Sequence, residues 1–206
     1  MNDFYEHLAN RQPGLMAINE YFISAVLLPI VKVKGQNHIL FEVRPKHLDR
    51  QPGEICFPGG KVEEGETPKE TAVRETGEEL GINTEGIEII GPLDILVAPL
   101  GTVIYPFAGT ITDLEKIVPD PGEVEKVFTI PLDFFLNTTP SHTKGEVAIR
   151  YGNGFPLEKV PPGYGPGWKK RWAFSVYYYQ YGEYFIWGMT SKILFNFINI
   201  IKRSNR

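Results

Sequence analysis

The sequence predicts one α/β or α+β domain in which helices flank a β-sheet. Strand-like segments outnumber helical ones, and the helical patterns lie in the middle of the chain and at its end. With 206 residues, the chain fits a single domain over residues 1–206, with a core at about 20–202 and a short helical extension before it. A chain of this length buries roughly 70% of its unfolded surface, so it needs no disulfide to fold.

The first half of the chain predicts a short helix and two pairs of strands. Residues 3–10 can form an amphipathic helix. Residues 22–33 and 38–45 are apolar and rich in β-branched side chains, and a short polar turn separates them. Residues 87–99 and 102–111 predict the second pair of strands, which a proline and a glycine interrupt.

The second half predicts a further strand, a hairpin and a terminal helix. Residues 124–136 indicate a strand that runs into a short helix or turn, and residues 151–167 indicate an ordered loop rich in glycine and proline. Residues 171–188 predict a hairpin with its turn at the sequence QYGE. In residues 190–202, apolar side chains recur with helical spacing, and Thr190 is the predicted N-cap.

Composition and charge argue against several classes of protein. The formal net charge of −4 disfavours nucleic-acid binding, which needs a basic surface. Cys56 is the only cysteine, so no intrachain disulfide can form. The first residues lack the apolar core of a signal peptide, and the apolar runs are shorter than the ~20 residues of a membrane helix. We therefore expect a cytoplasmic protein without membrane or nucleic-acid partners.

Residues 67–81 carry the strongest helix signals. Thr67 suits the N-cap, Pro68 suits the first helical position, and Glu70 suits the third, which completes a capping box. Gly81 suits the position after the last helical residue. We therefore expect a helix that begins after Thr67 and ends before Gly81.

This predicted helix is strongly acidic. Glu75, Glu78 and Glu79 are spaced at i, i+3 and i+4, so they lie within about one turn of one another. Carboxylate oxygens, with the carbonyls of a neighbouring Gly-Gly turn, are hard ligands that suit Mg²⁺ or Mn²⁺. An acidic helix face is more often only solvated, so the prediction of a metal site depends on the wider pattern.

The wider pattern resembles the signature of the Nudix hydrolases, Gx5Ex7REUxEExGU. The glycine, glutamate and arginine positions are all matched, by Gly60, Glu66, Arg74, Glu75, Glu78, Glu79 and Gly81, and Ile82 is the final aliphatic residue. Thr76 departs from the signature, because the family usually has an aliphatic residue at this position on the packing side of the helix.

The resemblance implies a fold, a reaction and a set of metal ligands. The fold is an α/β/α sandwich around a mixed β-sheet, with the signature as a loop-helix-loop. The reaction is hydrolysis of a nucleoside diphosphate that is linked to another group. Glu75 and Glu79 would be the principal metal ligands, with the carbonyl of Gly59 as a backbone ligand.

Four further residues would have supporting roles in a site of this family. Glu78 would be an additional ligand or part of the set that activates the attacking water. Arg74 and Glu66 would pair and hold the loop against the helix. Glu123 precedes a strand-like segment, where this family often places a glutamate that acts as a metal ligand or general base. The alternative for Glu123 is an exposed loop acid.

Residues 39–61 also resemble the extra motif of the coenzyme A pyrophosphatase branch, LLTxRSx3Rx3Gx3FPGGK. The matching residues are Leu40, Arg44, Gly53, Phe57, Pro58, Gly59, Gly60 and Lys61. Glu42, Pro45 and Asp49 stand where the motif has a threonine, a serine and an arginine. Asp49 weakens the assignment most, because a carboxylate repels a phosphate.

Three basic residues flank the signature and can contact substrate phosphates. They are Arg44, Arg50 and Lys61, and arginine suits a phosphate because its donors form a planar fork. For each of them the alternative is a solvent-exposed charge. Cys56 is expected to be a small core residue and not a nucleophile.

We therefore expect hydrolysis of coenzyme A or its thioesters to 3′,5′-ADP and 4′-phosphopantetheine or its acyl derivative, with Mg²⁺ or Mn²⁺ as cofactor. The partner would be a small nucleoside diphosphate compound, and a homodimer is possible. Two alternatives stay open. The same chemistry can act on ADP-ribose, NADH or a dinucleoside polyphosphate, or the chain can be a nucleotide-sensing module, which the intact acidic positions disfavour.

Overall fold

The computed structural model describes residues 2–11, 16–99, 101–112 and 114–204. Its helices are α1 (Asn2–Ala9), α2 (Pro68–Leu80), α3 (Leu132–Asn137) and α4 (Gly188–Ser204). Its strands are β1 (Phe22–Val33), β2 (Gln36–Val43), β3 (Ile55–Cys56), β4 (Gly59–Lys61), β5 (Ile87–Pro92), β6 (Leu96–Ala98), β7 (Thr102–Ile111), β8 (Lys126–Pro131), β9 (Ser141–Ile149), β10 (Lys169–Tyr181) and β11 (Tyr184–Trp187). Across these ranges, no helix combines the length and apolar character that a membrane span requires.

The main sheet is built around β1. Residues 22–30 of β1 run parallel to residues 102–110 of β7, and residues 30–33 run antiparallel to residues 36–39 of β2. β8 pairs with the other edge of β2, and β5 and β6 pair in succession with β7. The sheet is therefore mixed, which confirms the predicted fold class.

β1 and β2 stay paired only near the turn that joins them. This two-residue turn consists of Lys34 and Gly35, both with positive φ (48° and 82°), as in hairpins whose turn follows the strand twist. Beyond the turn the two strands separate, and residues 55–61 enter the gap between them. This segment pairs with β2 as β3 and with β1 as β4. It carries the glycine turn of the signature into the sheet.

The two faces of the main sheet pack against different elements. On one face Leu40 of β2 packs with Leu80 of α2 in a small apolar cluster. The neighbouring residues Ile39 and Phe41 point to the other face and belong to a larger cluster with α3, α4, β10 and β11. Phe41 is fully buried there and stacks on Phe57. The result is a sandwich with α2 on one side of the sheet and α4 on the other.

A second, antiparallel sheet contains β9, β10 and β11. The predicted hairpin is confirmed, with Gly182 and Glu183 as its turn between β10 and β11. The sequence does not predict β9, because most of its side chains are exposed and no apolar face alternates along it. Residues 151–167 form the loop between β9 and β10, in which the rings of Tyr151 and Phe155 stack at 4.4 Å.

The prediction of Thr190 as a helix N-cap is wrong. α4 begins at Gly188, directly after β11, and Thr190 lies in its first turn. The Thr190 hydroxyl donates a hydrogen bond to the carbonyl of Ile55 (3.1 Å). The apolar side of α4, with Leu194 and Phe197, packs into the larger cluster as predicted. Thr190 therefore ties α4 to β3 instead of capping its own helix.

Candidate active site

α2 begins and ends where the sequence predicts. The Thr67 hydroxyl accepts a hydrogen bond from the Glu70 N–H (3.3 Å), and the Glu70 carboxylate accepts one from the Thr67 N–H (2.8 Å). Gly81 follows the helix with φ of 61°, and a Cβ at this position would overlap the carbonyl of Val118. These local interactions fix the helix ends, and so they fix the direction of the glutamates.

Arg74 and Glu66 form the pair that the resemblance implies. The Arg74 guanidinium donates to both carboxylate oxygens of Glu66, at 2.8 and 3.0 Å, and the Thr71 hydroxyl donates to Glu66 at 2.7 Å. These hydrogen bonds, from Arg74 first and then from Thr71, lower the pKa of Glu66 to about 2. Glu66 therefore stays ionised and holds the loop before α2 against the helix.

Glu75, Glu79 and Glu123 form an acidic cluster, in which carboxylate oxygens of the three residues lie within 4.8 Å of one another. Glu79 is buried, Glu75 is half-buried and Glu123 is exposed. The loop that carries Glu123 is tied to α2, because the Asp120 N–H donates to the Glu79 carbonyl (2.9 Å). The Asp120 carbonyl in turn accepts from the Glu123 N–H (3.0 Å). The tertiary fold thus brings Glu123 beside the two helix glutamates.

Gly59 and Gly60 leave room for the acidic cluster. The Gly59 N–H donates a hydrogen bond to the Glu79 carboxylate at 2.7 Å. A Cβ at Gly59 would overlap the carbonyl of Ala25, and a Cβ at Gly60 would overlap the carboxylate of Glu75. The role of the Gly59 carbonyl as a metal ligand stays a prediction, whereas its N–H orients Glu79 in the structure.

Glu78 lies outside the acidic cluster. Its side chain is 59% exposed, and one of its oxygens accepts a hydrogen bond from Arg74 at 2.9 Å. Arg74 also pairs with Glu75 at 2.9 Å, so the same guanidinium contacts both residues. The predicted role of Glu78 as a further ligand or in water activation stays a prediction.

Glu42 is a residue of the site that the sequence marks only as a departure from the branch motif. It is 1% exposed, lies close enough to Glu79 for the two acids to affect each other's pKa, and accepts a hydrogen bond from the Cys56 thiol at 3.4 Å. Its Oε2 has no hydrogen-bond partner within the described ranges. Burial raises the pKa of Glu42 to about 7, against the smaller opposing effects of Cys56 and Arg44. An acid inside an otherwise apolar strand is the sequence signal that could have identified it.

Cys56, predicted as a small core residue, is half-buried in the structure. It lies on β3, opposite Glu42 of β2. Burial and the neighbouring acids raise the pKa of its thiol well above the ordinary value. A neutral thiol is a poor nucleophile, which agrees with the expectation that Cys56 does not attack the substrate.

The three basic residues differ in how closely they approach the acids. Arg44 is near enough to Glu42 to lower its pKa, and the Arg44 Nε donates to the carbonyl of Arg50 (3.4 Å). The Arg50 guanidinium lies over the ring of Phe22, 5.4 Å from its centroid. Lys61 is exposed on β4. Arg44 therefore lies near the acids, whereas the observed contacts of Arg50 and Lys61 do not reach them.

The acidic cluster fits a divalent cation. Its donors are all carboxylate oxygens, which hard cations prefer. Burial is the main cause that raises the pKa of Glu75 and of Glu79, and neighbouring acids add to it. Arg74 contacts Glu75 once, but it donates two hydrogen bonds to Glu66. A bound cation would relieve this repulsion between close carboxylates.

A mixed sheet with an acidic helix after a glycine turn is typical of hydrolases that act on phosphate compounds with a divalent metal. A NUDIX domain model matches residues 22–148, more than half of the chain. The chain belongs to the Nudix hydrolase family. This match confirms the resemblance that the signature carries.

The relatives of the chain include a coenzyme A diphosphatase. Nudix hydrolase 3 of Caenorhabditis elegans is 44% identical over 130 residues, which are 61% of this chain and 54% of that protein. The peroxisomal coenzyme A diphosphatase NUDT7 of Mus musculus is 36% identical over 114 residues, which are 55% of this chain and 48% of that protein. The chain spans about half the length of these curated relatives.

A solved structure supports the fold. A MutT/nudix family protein from Enterococcus faecalis superposes with a TM-score of 0.52 and 15% sequence identity. The superposition covers 98% of this chain and 70% of that one. At this identity the likeness concerns the fold alone.

Replacing Gly60 by alanine is expected to weaken metal binding. The new Cβ would overlap the Glu75 carboxylate and displace it from the acidic cluster. We expect the Mn²⁺ dissociation constant, measured by isothermal titration calorimetry, to rise about tenfold. Gly91→Ala is the matched control, because its Cβ would meet no atom within 4 Å. Unchanged Mn²⁺ affinity in Gly60→Ala would remove Glu75 from the ligand set.

The metal-free protein is expected to lose stability as the pH rises from about 4.5 to 7. Burial raises the pKa of Glu42 from 4.5 to about 7, so in this range the folded state holds a proton that the unfolded chain has released. The contribution of Glu42 to the free energy of unfolding is therefore complete below pH 4.5, its pKa in the unfolded chain. It is lost as the pH rises through about 7, its pKa in the folded state. For one group the slope is at most about 1.4 kcal/mol per pH unit.

Denaturant unfolding in the presence of EDTA, repeated across this pH range, measures the loss. Glu42→Gln should make the slope flatter, because its amide does not titrate. Glu88→Gln replaces an exposed acid on β5 and is the matched control, with the wild-type slope expected. A wild-type free energy of unfolding that rises with pH over this range would contradict the prediction.

Proposed function

We propose that this chain hydrolyses the diphosphate bond of coenzyme A or of its thioesters. The main support for the proposal is the path that residues 44–61 take through the fold. This segment joins the loop of Arg44 and Arg50 to the glycine turn beside Glu75 and Glu79. A phosphate-binding loop and a metal-binding helix would therefore act on the same diphosphate. The similarity to the mouse coenzyme A diphosphatase supports this substrate.

Mg²⁺ or Mn²⁺ is the cofactor that we propose. Glu75 and Glu79 would hold the cation, and Glu78 and the Gly59 carbonyl are further candidates. When bound, the cation offsets charge on the diphosphate oxygens and lowers the pKa of an attacking water. Because ligating carboxylates must be ionised, binding would also release the proton that burial favours on Glu79.

The protein residues would orient the reacting groups and accept a proton. The pair of Arg74 and Glu66 keeps the loop and α2 together, and the Gly59 N–H orients Glu79. The water oxygen attacks one phosphorus, and the bridging phosphorus–oxygen bond breaks with its electron pair on the leaving phosphate. Glu123, exposed to solvent at the edge of the acidic cluster, would accept the proton of the water. The products are 3′,5′-ADP and 4′-phosphopantetheine or its acyl derivative.

Arg44, Arg50 and Lys61 would bind the phosphates of the substrate. Arg44 lies beside the buried acid Glu42, so it is placed to reach a phosphate at the metal site. Arg50 lies over the Phe22 ring, with its guanidinium carbon 5.4 Å from the ring centroid. Together they would supply positive charge on the side of the diphosphate that faces the loop.

A second candidate is hydrolysis of another nucleoside diphosphate compound, such as ADP-ribose, NADH or a dinucleoside polyphosphate. The departures at Glu42 and Asp49 favour it, because they place acidic residues where the branch motif has a threonine and an arginine. A nucleotide-sensing module is disfavoured, since Glu75, Glu79 and Glu123 keep the geometry of a ligand set. The single domain, the homodimer and the cytoplasmic location stay predictions.

Product analysis tests the proposal. We would incubate the chain and Mg²⁺ or Mn²⁺ with coenzyme A, acetyl-coenzyme A, ADP-ribose, NADH and diadenosine polyphosphates, and identify products by mass spectrometry. We expect 3′,5′-ADP and the phosphopantetheine half as the main products. Glu79→Gln should reduce the rate about 100-fold, since it removes a metal ligand. Glu123→Gln should lower kcat with little change in KM.

Glu88→Gln controls for the loss of one negative charge and should keep the wild-type rate. Preferential cleavage of ADP-ribose, NADH or a dinucleoside polyphosphate would establish the second candidate. If no compound is cleaved with either metal, the proposal of a coenzyme A hydrolase fails. A wild-type rate in Glu123→Gln would remove that residue from the reaction.

Removing the loop arginines is expected to weaken substrate binding. Arg44→Ala and Arg50→Ala should each raise the KM for coenzyme A by about tenfold, because a charge-assisted hydrogen bond to a phosphate is lost. Steady-state kinetics measures the change. Lys46→Ala is the control, since Lys46 is an exposed cation on the same loop. An unchanged KM in both arginine variants would contradict the phosphate contact.

A further inference from the structure

An apolar groove of about 280 Å³ lies between β6 of the main sheet and the second sheet. Apolar and aromatic side chains form most of its lining: Leu96, Ala98, Phe174, Val176, Trp187 and Met189. We propose that this groove binds the acyl end of a coenzyme A thioester. The inference rests on the proposed function and adds to it a preference for medium-chain over short-chain acyl groups.

β3 connects the groove to the acidic cluster. On one side of β3, the Cys56 thiol donates a hydrogen bond to Glu42, which interacts electrostatically with Glu79. On the other side, the Ile55 carbonyl accepts a hydrogen bond from Thr190 of α4, and the preceding residue, Glu54, lines the groove. The groove and the candidate metal site therefore lie on either side of one short strand.

The sheet register gives the distance between the groove residue Leu96 and Lys61, which we propose as a phosphate contact. Lys61, Ser24, Ile104 and Leu96 lie opposite one another on β4, β1, β7 and β6, so they form one row on one face. Three strand spacings of about 4.8 Å separate Lys61 from Leu96 by about 14 Å. Ser24 and Ile104 are buried, so a substrate arm would lie over the side chains that cover them.

The pantetheine arm of coenzyme A has the length that this distance requires. Between phosphate and sulfur it has about as many chain atoms as four peptide residues, which span about 14 Å when extended. If the diphosphate lies at the acidic cluster and near Lys61, the sulfur reaches the groove at Leu96. An acyl group on the sulfur would then be the part of the substrate that enters the groove.

The side chains of the groove suit an alkyl chain better than a nucleobase. Met189 and Leu96 are flexible or branched aliphatic residues that adapt to a chain, and burial of each methylene is favourable by about 0.8 kcal/mol. The groove has almost twice the volume of the ~150 Å³ apolar cavity that holds one benzene, so it has room for a medium-length acyl chain. Lys192 at the rim can donate a hydrogen bond to the thioester carbonyl.

The test compares octanoyl-coenzyme A with acetyl-coenzyme A as substrates of the full chain. We expect the ratio of their kcat/KM values to favour octanoyl-coenzyme A. Met189→Glu should lower this ratio about tenfold, because it places a charge in the groove. Met189 lies in the first turn of α4 and also packs against the larger apolar cluster, so circular dichroism should check that Met189→Glu is folded. If Met189→Glu does not fold, Trp187→Ala is a second variant that should lower the ratio.

Trp168→Ala is the matched control, because Trp168 is an exposed tryptophan that does not line the groove. It should keep the wild-type ratio. A kcat/KM ratio near one in the wild type, unchanged in Met189→Glu and Trp187→Ala, would overturn the inference. If coenzyme A is still hydrolysed in that case, the proposed function stands. If neither thioester nor coenzyme A is cleaved, the proposed function fails.

A binding measurement without metal tests, independently of hydrolysis, whether the acyl group enters the groove. In EDTA, octanoyl-coenzyme A should quench the fluorescence of Trp187, and Trp187→Phe should abolish that part of the change. Quenching of Trp187 to the same extent by 3′,5′-ADP would assign the groove to the nucleotide and overturn the inference. Absence of any change with octanoyl-coenzyme A would overturn it as well.

Discussion

The separation of β1 from β2 is the constraint on which the candidate site depends. Two strands that stayed paired along their whole length would leave no place for residues 55–61. Because they diverge after a tight two-residue turn, this segment enters the sheet and bonds to both strands. The entry places Gly59 and Gly60 under α2, where a residue with any side chain would collide with its surroundings. The glutamates of α2 can approach the sheet only because of these glycines.

The electrostatics of the site follow from that close approach. Glu79 is drawn into the sheet by the Gly59 N–H, and there it meets Glu42, which the strand β2 buries. Burial disfavours the charge on both carboxyls, so the pKa of each is raised. Glu66 shows the opposite behaviour, because Arg74 donates two hydrogen bonds to it and keeps it ionised. The fold thus keeps Glu66, which holds the loop to α2, ionised, and disfavours the charge on Glu42 and Glu79 beside the candidate metal site.

The short strand β3 links the parts of the molecule that a substrate would touch. Its two residues contact β2 on one edge, and the Ile55 carbonyl receives the Thr190 hydroxyl of α4. The loop before β3 carries Arg44 and Arg50, and the segment after it carries the glycine turn. Displacement of β3 would therefore also move the loop that carries Arg44 and Arg50, the acidic cluster and the wall of the groove. Side chains of β2 and α4 both form hydrogen bonds with this two-residue strand.

The sequence by itself determined the features that depend on neighbouring residues. Thr67, Glu70 and Gly81 fix the ends of α2, because capping bonds join residues within one turn of each other. The spacing of Glu66, Arg74 and the helix glutamates identifies the family for the same reason. The tertiary structure alone decided that Glu42 lies against Glu79, that β9 joins a second sheet, and that Thr190 bonds to β3 instead of capping α4. Each of these contacts joins residues far apart along the chain, and the strand pairing that brings them together leaves no local pattern in the sequence.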